Sequence, residues 1–139
     1  MTFPDNMKTP ESIVQLFIHT HAEWNRRSNE RCKTLRPGST EDQHAMETAK
    51  SEYNEIIKRF GSKNVVPQPI SFGDNPMHDP ERESIESTAI DGASATVRTR
   101  HVDIHDLVSI YEYRLVQESN EWRISSLLYN DEKGSYECL

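Results

Sequence analysis

A chain of 139 residues is long enough to form one domain with its own core, without disulfides or a metal to hold it together. With 34% hydrophobic and 28% charged residues it is polar yet well short of disorder, and no apolar run reaches membrane-spanning length, so a soluble protein is expected. The formal net charge of -7, from 23 acidic against 16 basic residues, argues against nucleic acid or an anionic membrane as a direct partner and suits a basic protein partner.

The N-terminal Met-Thr-Phe-Pro-Asp-Asn has neither a basic leader region nor an apolar one, which predicts a cytoplasmic protein. Cys32 and Cys138 lie far apart with no metal-ligand neighbourhood, as expected of two free thiols in a reducing compartment. Thr9-Pro10-Glu11 reads as a helix start, with Thr as cap, Pro at the first helical position and Glu complementing the dipole. Ile13, Leu16, Phe17, Thr20 and Trp24 then recur at helical spacing, and the helix is expected over about residues 10–35, ending before Pro37-Gly38. A second helix, about 40–60, starts at Ser39-Thr40, with Gln43 placed to complete a capping box with Thr40. Its apolar stripe is Met46, Ala49, Tyr53, Ile56, Ile57 and Phe60, and Gly61 stands where a C-terminal cap belongs.

Residues 62–82 hold Pro67, Pro69, Gly73, Pro76 and Pro80 and predict an irregular crossover, with a short strand at Val65-Val66. A four-stranded antiparallel meander follows at about 83–90, 93–102, 107–118 and 122–129, with a tail over 130–139. In the first hairpin a three-residue loop, Ile90-Asp91-Gly92 with Gly92 left-handed, pairs Ile85 with Val97 and Ser87 with Ala95. The second hairpin organises the domain: a Ser119-Asn120 loop closed by Glu118 and Glu121 sets Leu115 opposite Ile124, Tyr113 opposite Ser126 and Tyr111 opposite Leu128, with Trp122 on the same core face. Its other face carries Glu112, Arg114, Val116, Glu118 and Arg123. Two helices followed by an antiparallel sheet make an α+β domain over residues 1–139, with the helices on one face of the sheet.

Several stretches together carry a family likeness: Phe72-Gly73-Asp74-Asn75-Pro76, His78-Asp79-Pro80-Glu81-Arg82-Glu83, Val97-Arg98-Thr99-Arg100, Tyr111-Glu112-Tyr113-Arg114-Leu115, and Glu121-Trp122-Arg123-Ile124. In these the chain resembles the NTF2-fold immunity proteins of bacterial polymorphic toxin systems. The resemblance implies an NTF2-like cone, in which a curved sheet wraps the N-terminal helices. It also implies that the protein binds and neutralises a cognate secreted toxin in the cell that makes it, as a non-enzyme without a cofactor.

The acidic clusters are the expected partner-binding residues: Asp74, Asp79, Glu81 and Glu83 around the crossover, and Glu112, Glu118 and Glu121 on the outer sheet face and hairpin tip. Toxins that act on nucleic acids carry basic clefts, which carboxylates would meet with a fast and specific association. His19 and His21 do not share a helix face, and His101 and His105 straddle a strand end without a third ligand, so no metal site is expected and surface or strand-end histidines are the default. The alternative reading is a small-molecule-binding protein or an isomerase- or cyclase-like enzyme using the cone. This would need an inward ionisable group; the register puts Ser109, Tyr111, Tyr113, Ser126 and His101 inward and no carboxylate on the meander. A dimerisation or adaptor module is the third reading, and a homodimer is compatible with the sequence.

Overall fold

Thr9 opens the first helix as expected: its Oγ1 accepts the backbone N–H of Ser12 at 3.1 Å, and Pro10 sits at N1, where a missing N–H costs nothing. The computed structural model describes residues 9–139; residues 1–8, on which the expectation about a leader segment rests, lie outside the described residues. Helix α1 spans Pro10–Cys32 and stops short of the expected end, with Leu35 N–H bonding Cys32 C=O in a turn. Its buried side is wider than the predicted stripe, taking in Val14, Ile18, His21, Asn25 and Ser28 as well as Ile13, Phe17 and Trp24.

Helix α2 spans Thr40–Phe60, and its cap is Ser39, not Thr40: Ser39 Oγ accepts from Asp42 N–H at 3.1 Å, while the Gln43 amide reaches back to Gly38 C=O at 3.2 Å. Left-handed Gly38, at φ 78°, turns the chain early enough for the serine to cap. Ala45 replaces Met46 in the buried stripe. At the far end Gly61 caps the helix in an extended conformation, its N–H on Ile57 C=O, and an added Cβ would come within 2.6 Å of that same oxygen. The chain then meets the sheet at once, through Ser62 N–H to Ile124 C=O at 2.9 Å.

The sheet has five strands, β1 Glu83–Asp91, β2 Ser94–Val102, β3 Val108–Glu118, β4 Glu121–Asp131 and β5 Gly134–Glu137, in the order β1-β2-β3-β4-β5. The expected tail therefore contains a strand, turned back by Asp131, whose Oδ1 accepts from the N–H groups of Lys133 and Gly134. No strand forms at Val65-Val66. The β3–β4 tip is as predicted, with Ser119 and Asn120 both at positive φ (51° and 66°) and Glu118 facing Glu121.

Beyond the Leu115–Ile124 pair the register departs from expectation. Ser125 is an extra residue in β4, and its hydroxyl donates to Arg114 C=O at 3.0 Å. Tyr113 consequently faces Leu127, not Ser126, and Tyr111 faces Tyr129, not Leu128. Leu127 enters the core, while Ser126 lies opposite exposed Arg114. The first hairpin is corrected in the same manner. Its turn is the two-residue Gly92-Ala93 with Gly92 at φ 60°, Ile85 faces Thr99, and an irregularity at Glu86 restores the alternation so that Thr88 faces Val97. Such bulges bend strands, and the sheet is curved and unclosed.

Both helices pack on one face of the sheet as an α+β fold, where Phe17, Trp24, Tyr53, Phe60, Tyr113, Leu115, Trp122, Ile124 and Leu127 share one core. Leu139 is buried with them, its C=O taking the N–H of Gln68. No helix among the described residues is long and apolar enough to cross a membrane.

Candidate functional site

The crossover after α2 runs through residues 62–82 without regular structure, and side chains fasten it at defined points. Asn25 of α1 clamps it from both directions, its Nδ2 donating to Gly73 C=O at 2.8 Å and its Oδ1 accepting Gly73 N–H at 3.1 Å. Phe72 lies edge-on to Trp24, with ring centroids 5.8 Å apart. Asp79 then forms a turn, its C=O accepting from Arg82 and Glu83 and its Oδ1 from Glu81 N–H. The turn leaves His78 buried between α1 and the sheet, against Phe17 and Tyr113.

There His78 meets Glu83 from the start of β1. His78 Nδ1 lies 2.8 Å from Glu83 Oε1, while the hydroxyls of Thr99 and Tyr113 donate to Glu83 Oε2 at 2.6 and 2.7 Å. An ionised carboxylate only accepts, so the imidazole proton sits on Nδ1; the Tyr113 oxygen, 3.0 Å from that nitrogen, is a secondary acceptor. Burial, the largest influence on Glu83, pushes its pKa up, but the neighbouring His78 and the three donors together hold it below the usual glutamate value. Tyr113 is pushed well above the ordinary phenol value, first by burial and then by the Glu83 charge. The rings of Phe17, His21 and Tyr111 close around His78, with His21 and Tyr111 centroids at 4.9 and 4.8 Å.

An imidazole, a carboxylate and a phenol in contact are the parts of acid–base chemistry. Here the side chains of His78 and Glu83 are only 1% and 0% exposed, and Tyr113 is fully buried. The carboxylate's hydrogen bonds are all internal, so in this conformation the cluster fastens the crossover to β1, β2 and β3 and presents no reacting atom to solvent.

His21 is buried beside the cluster with Nδ1 unpartnered, and burial, then the proximity of His78, lowers its pKa well below that of a free histidine. His101 is lowered too, mainly by burial. Groups with depressed folded-state pKa values bind more protons when unfolded, so the stability they confer is complete above the unfolded value and is lost as pH falls toward the folded one. Stability is therefore expected to be flat between about pH 7 and 8. Below about 6.5 it should fall by up to about 1.4 kcal/mol per pH unit for each such histidine, with Glu83 adding its own loss below the usual glutamate range. Urea midpoints measured from pH 7.5 to 4 check this. His21→Phe should flatten the slope between pH 6.5 and 5, and an unchanged slope would show that His21 is not the titrating group.

Comparison with protein-family models, with characterised proteins and with solved structures gives no match. The chain's own geometry thus carries the assignment of each expected site residue. Asp74 and Glu81 are exposed on the crossover, Asp74 Oδ1 taking a hydrogen bond from Asn29 at 2.9 Å, and Asp79 is half-buried in its turn. Glu83, expected beside them on the surface, is instead the buried acceptor of the cluster; strand alternation turns it inward with Ile85. The expectation of no inward carboxylate on the meander is corrected with it.

The outer-sheet set is largely occupied within the chain. Glu112 pairs with Arg114 at 2.8 Å, Glu121 pairs with Arg123 at 2.6 Å, and Glu118 accepts Lys63 N–H at 3.2 Å. Arg123 also donates to the carbonyls of Lys58 and Arg59 at the end of α2. Of the histidines, His19 and His105 are exposed, while His21, expected at the surface by default, is in the core. Among the described residues no group of three or more His, Cys, Asp or Glu could hold a metal ion. Cys32 and Cys138 are free thiols, and Cys138, half-buried against Leu127 C=O, is pushed up to about 12, first by burial.

Beside the closed cluster a groove of about 220 Å³ opens between the crossover and the β2–β3 loop, with Met77, Asp79, Arg82, His101, Asp103 and Ile104 in its walls. Sequence reasoning did not single out Asp103 or Ile104. The signal was Asp103-Ile-His-Asp106-Leu107, a loop in which apolar residues stand between turn-forming acids.

Proposed function

We propose that the protein is a non-enzymatic immunity protein, which binds a cognate toxin through its acidic crossover and neutralises it in the cytoplasm of the producing cell. The observation that carries this reading is the buried, mutually bonded ionisable cluster. Where a small-molecule enzyme of this architecture needs an accessible ionisable floor, His78, Glu83, Thr99 and Tyr113 satisfy one another and are sealed by aromatic rings. Chemistry is thus directed to the surface. The crossover supplies exposed carboxylates on a segment clamped by Asn25, Asp79 and His78, and a preorganised loop loses little entropy on docking. The stretches that suggested the family converge on the same framework: Phe72-Gly73 on α1, His78 and Glu83 in the cluster, Tyr113 beneath them, and Trp122-Arg123-Ile124 joining α2 to β4.

The test is co-expression with the C-terminal domain of the protein encoded directly upstream, which the immunity reading requires to be toxic. Growth should be restored, and the two proteins should co-elute as a complex. Reversing exposed Glu81 to Lys should slow association at low ionic strength with little change in thermal midpoint, and adding Asp79→Lys, which also removes the Oδ1 brace of the turn, should bring the slowing to about tenfold or more at some cost in stability; the difference should shrink as salt is raised. Failure to restore growth or to form a complex would reject the immunity reading. Binding indifferent both to salt and to these reversals would reject the acidic interface.

A further inference from the structure

The geometry points to the groove between the crossover and the β2–β3 loop as the centre of the docking surface, built to receive an arginine side chain presented by a protein partner. This rests on the immunity reading for the partner's identity and goes beyond it in naming the site and the chemistry.

Three independent features meet there. The first is a rigid display of apolar side chains. The Asp103–Leu107 loop is braced by Asp103 Oδ1, which accepts from His105 and Leu107 N–H at 2.8 and 2.9 Å, and by backbone bonds from Asp103 to Leu107 and from Asp106 to Asp103. Asp106 is held at φ 61°, uncommon for a residue with a side chain. This ordered loop leaves Ile104 49% and Leu107 65% exposed, followed by Val108 at 45%, while Met77 across the groove is 40% exposed. Contiguous exposed apolar side chains with a polar rim mark an interaction surface.

The second is charge. Residues 73–82 and 103–108 contain the carboxylates of Asp74, Asp79, Glu81, Asp103 and Asp106 against Arg82 as their one Lys or Arg. Arg82 holds Asp79 only loosely, at 3.7 Å, with 41% of its side chain exposed, so it is free to swing aside. The third is an unsatisfied buried atom: His101, more than nine-tenths buried, is in the groove wall, and its Nε2 has no hydrogen-bond partner. Burial favours the neutral ring, whose unprotonated nitrogen can accept a hydrogen bond. A guanidinium offers five donors in a planar fork and an apolar stem, which fits two carboxylates and an imidazole acceptor between Met77 and Ile104 better than a compact ammonium does.

The experiment has two arms. In the first, the isotope-labelled full chain is titrated with acetyl-arginine N-methylamide and, separately, with its glutamate counterpart, and amide shifts are followed by NMR. Saturable shifts with the arginine probe alone are expected, concentrated at Met77, Asp79, His101, Asp103 and Ile104 and lost in Ile104→Lys. Shifts that are absent, or spread over exposed carboxylates elsewhere such as Glu47 and Asp131, overturn the proposal. In the second arm, Ile104→Lys and Met77→Lys should each weaken binding to the neighbouring toxin domain by about 30-fold or more, the scale of an interface hot spot, with unchanged circular dichroism and thermal midpoint. If the toxin binds the unmodified chain and both variants equally, the groove is not the docking centre although the immunity reading stands. If the arginine probe localises to the groove while no toxin binds, the groove stands and the partner assignment fails.

Discussion

Replacing Glu83 by alanine is expected to cost about 3–5 kcal/mol of folding stability, since it leaves three buried donors unpaired at about 1–3 kcal/mol each. The loss comes less from the missing bonds than from what remains: the His78 Nδ1–H and the hydroxyls of Thr99 and Tyr113, all buried and aimed at an oxygen that is no longer there. Glu83→Gln should cost less, about 1–3 kcal/mol, because the amide keeps one acceptor oxygen but turns an NH2 group toward a donor. Glu83→Gln should also remove the part of the acid destabilisation that lies below the usual glutamate range. Hydrogen exchange adds a spatial check, since the amides around His78 and Asp79 should lose protection in Glu83→Ala. A denaturation midpoint within experimental error of the parent would mean that the cluster contributes nothing to holding the crossover.

Trp24→Ala should be of similar size, about 3–5 kcal/mol, as for other fully buried large aromatics. Trp24 joins three parts of the molecule. Its indole N–H donates to Ala49 C=O of α2 at 2.9 Å, its ring lies tilted against Tyr53 with centroids 5.0 Å apart, and Phe72 of the crossover rests edge-on against it. Trp24→Phe keeps most of the apolar contact and leaves only the Ala49 bond unmade, so it should cost clearly less than the alanine variant. Urea denaturation of both variants measures the difference. An alanine variant no less stable than the phenylalanine one would mean that the site collapses around the missing ring and that Trp24 does not join the layers.

The helices, the crossover and the second hairpin were legible because each is governed by local chemistry. Thr9-Pro10 and Gly61 bracket helices with 3.6-residue apolar spacing, the prolines break regular structure between 62 and 82, and Ser119-Asn120 accept the positive φ of a two-residue turn. The acidic balance, too, is a property of the chain's composition and needs no fold to be read. What only the tertiary structure decided were the features that depend on meetings between distant residues. The bulges at Glu86 and Ser125 leave the period-2 pattern looking nearly regular yet move Leu127 inward and Ser126 outward, because one extra residue reverses every later side chain. Glu83 reads as one more acid in a charged run until alternation with Ile85 turns it inward. Its ionisation then becomes tolerable only because His78, Thr99 and Tyr113, up to 30 residues away in sequence, arrive with three donors. A carboxylate's solvation depends on the partners that folding brings to it, and for this chain that distinguishes a buried structural staple from a surface charge.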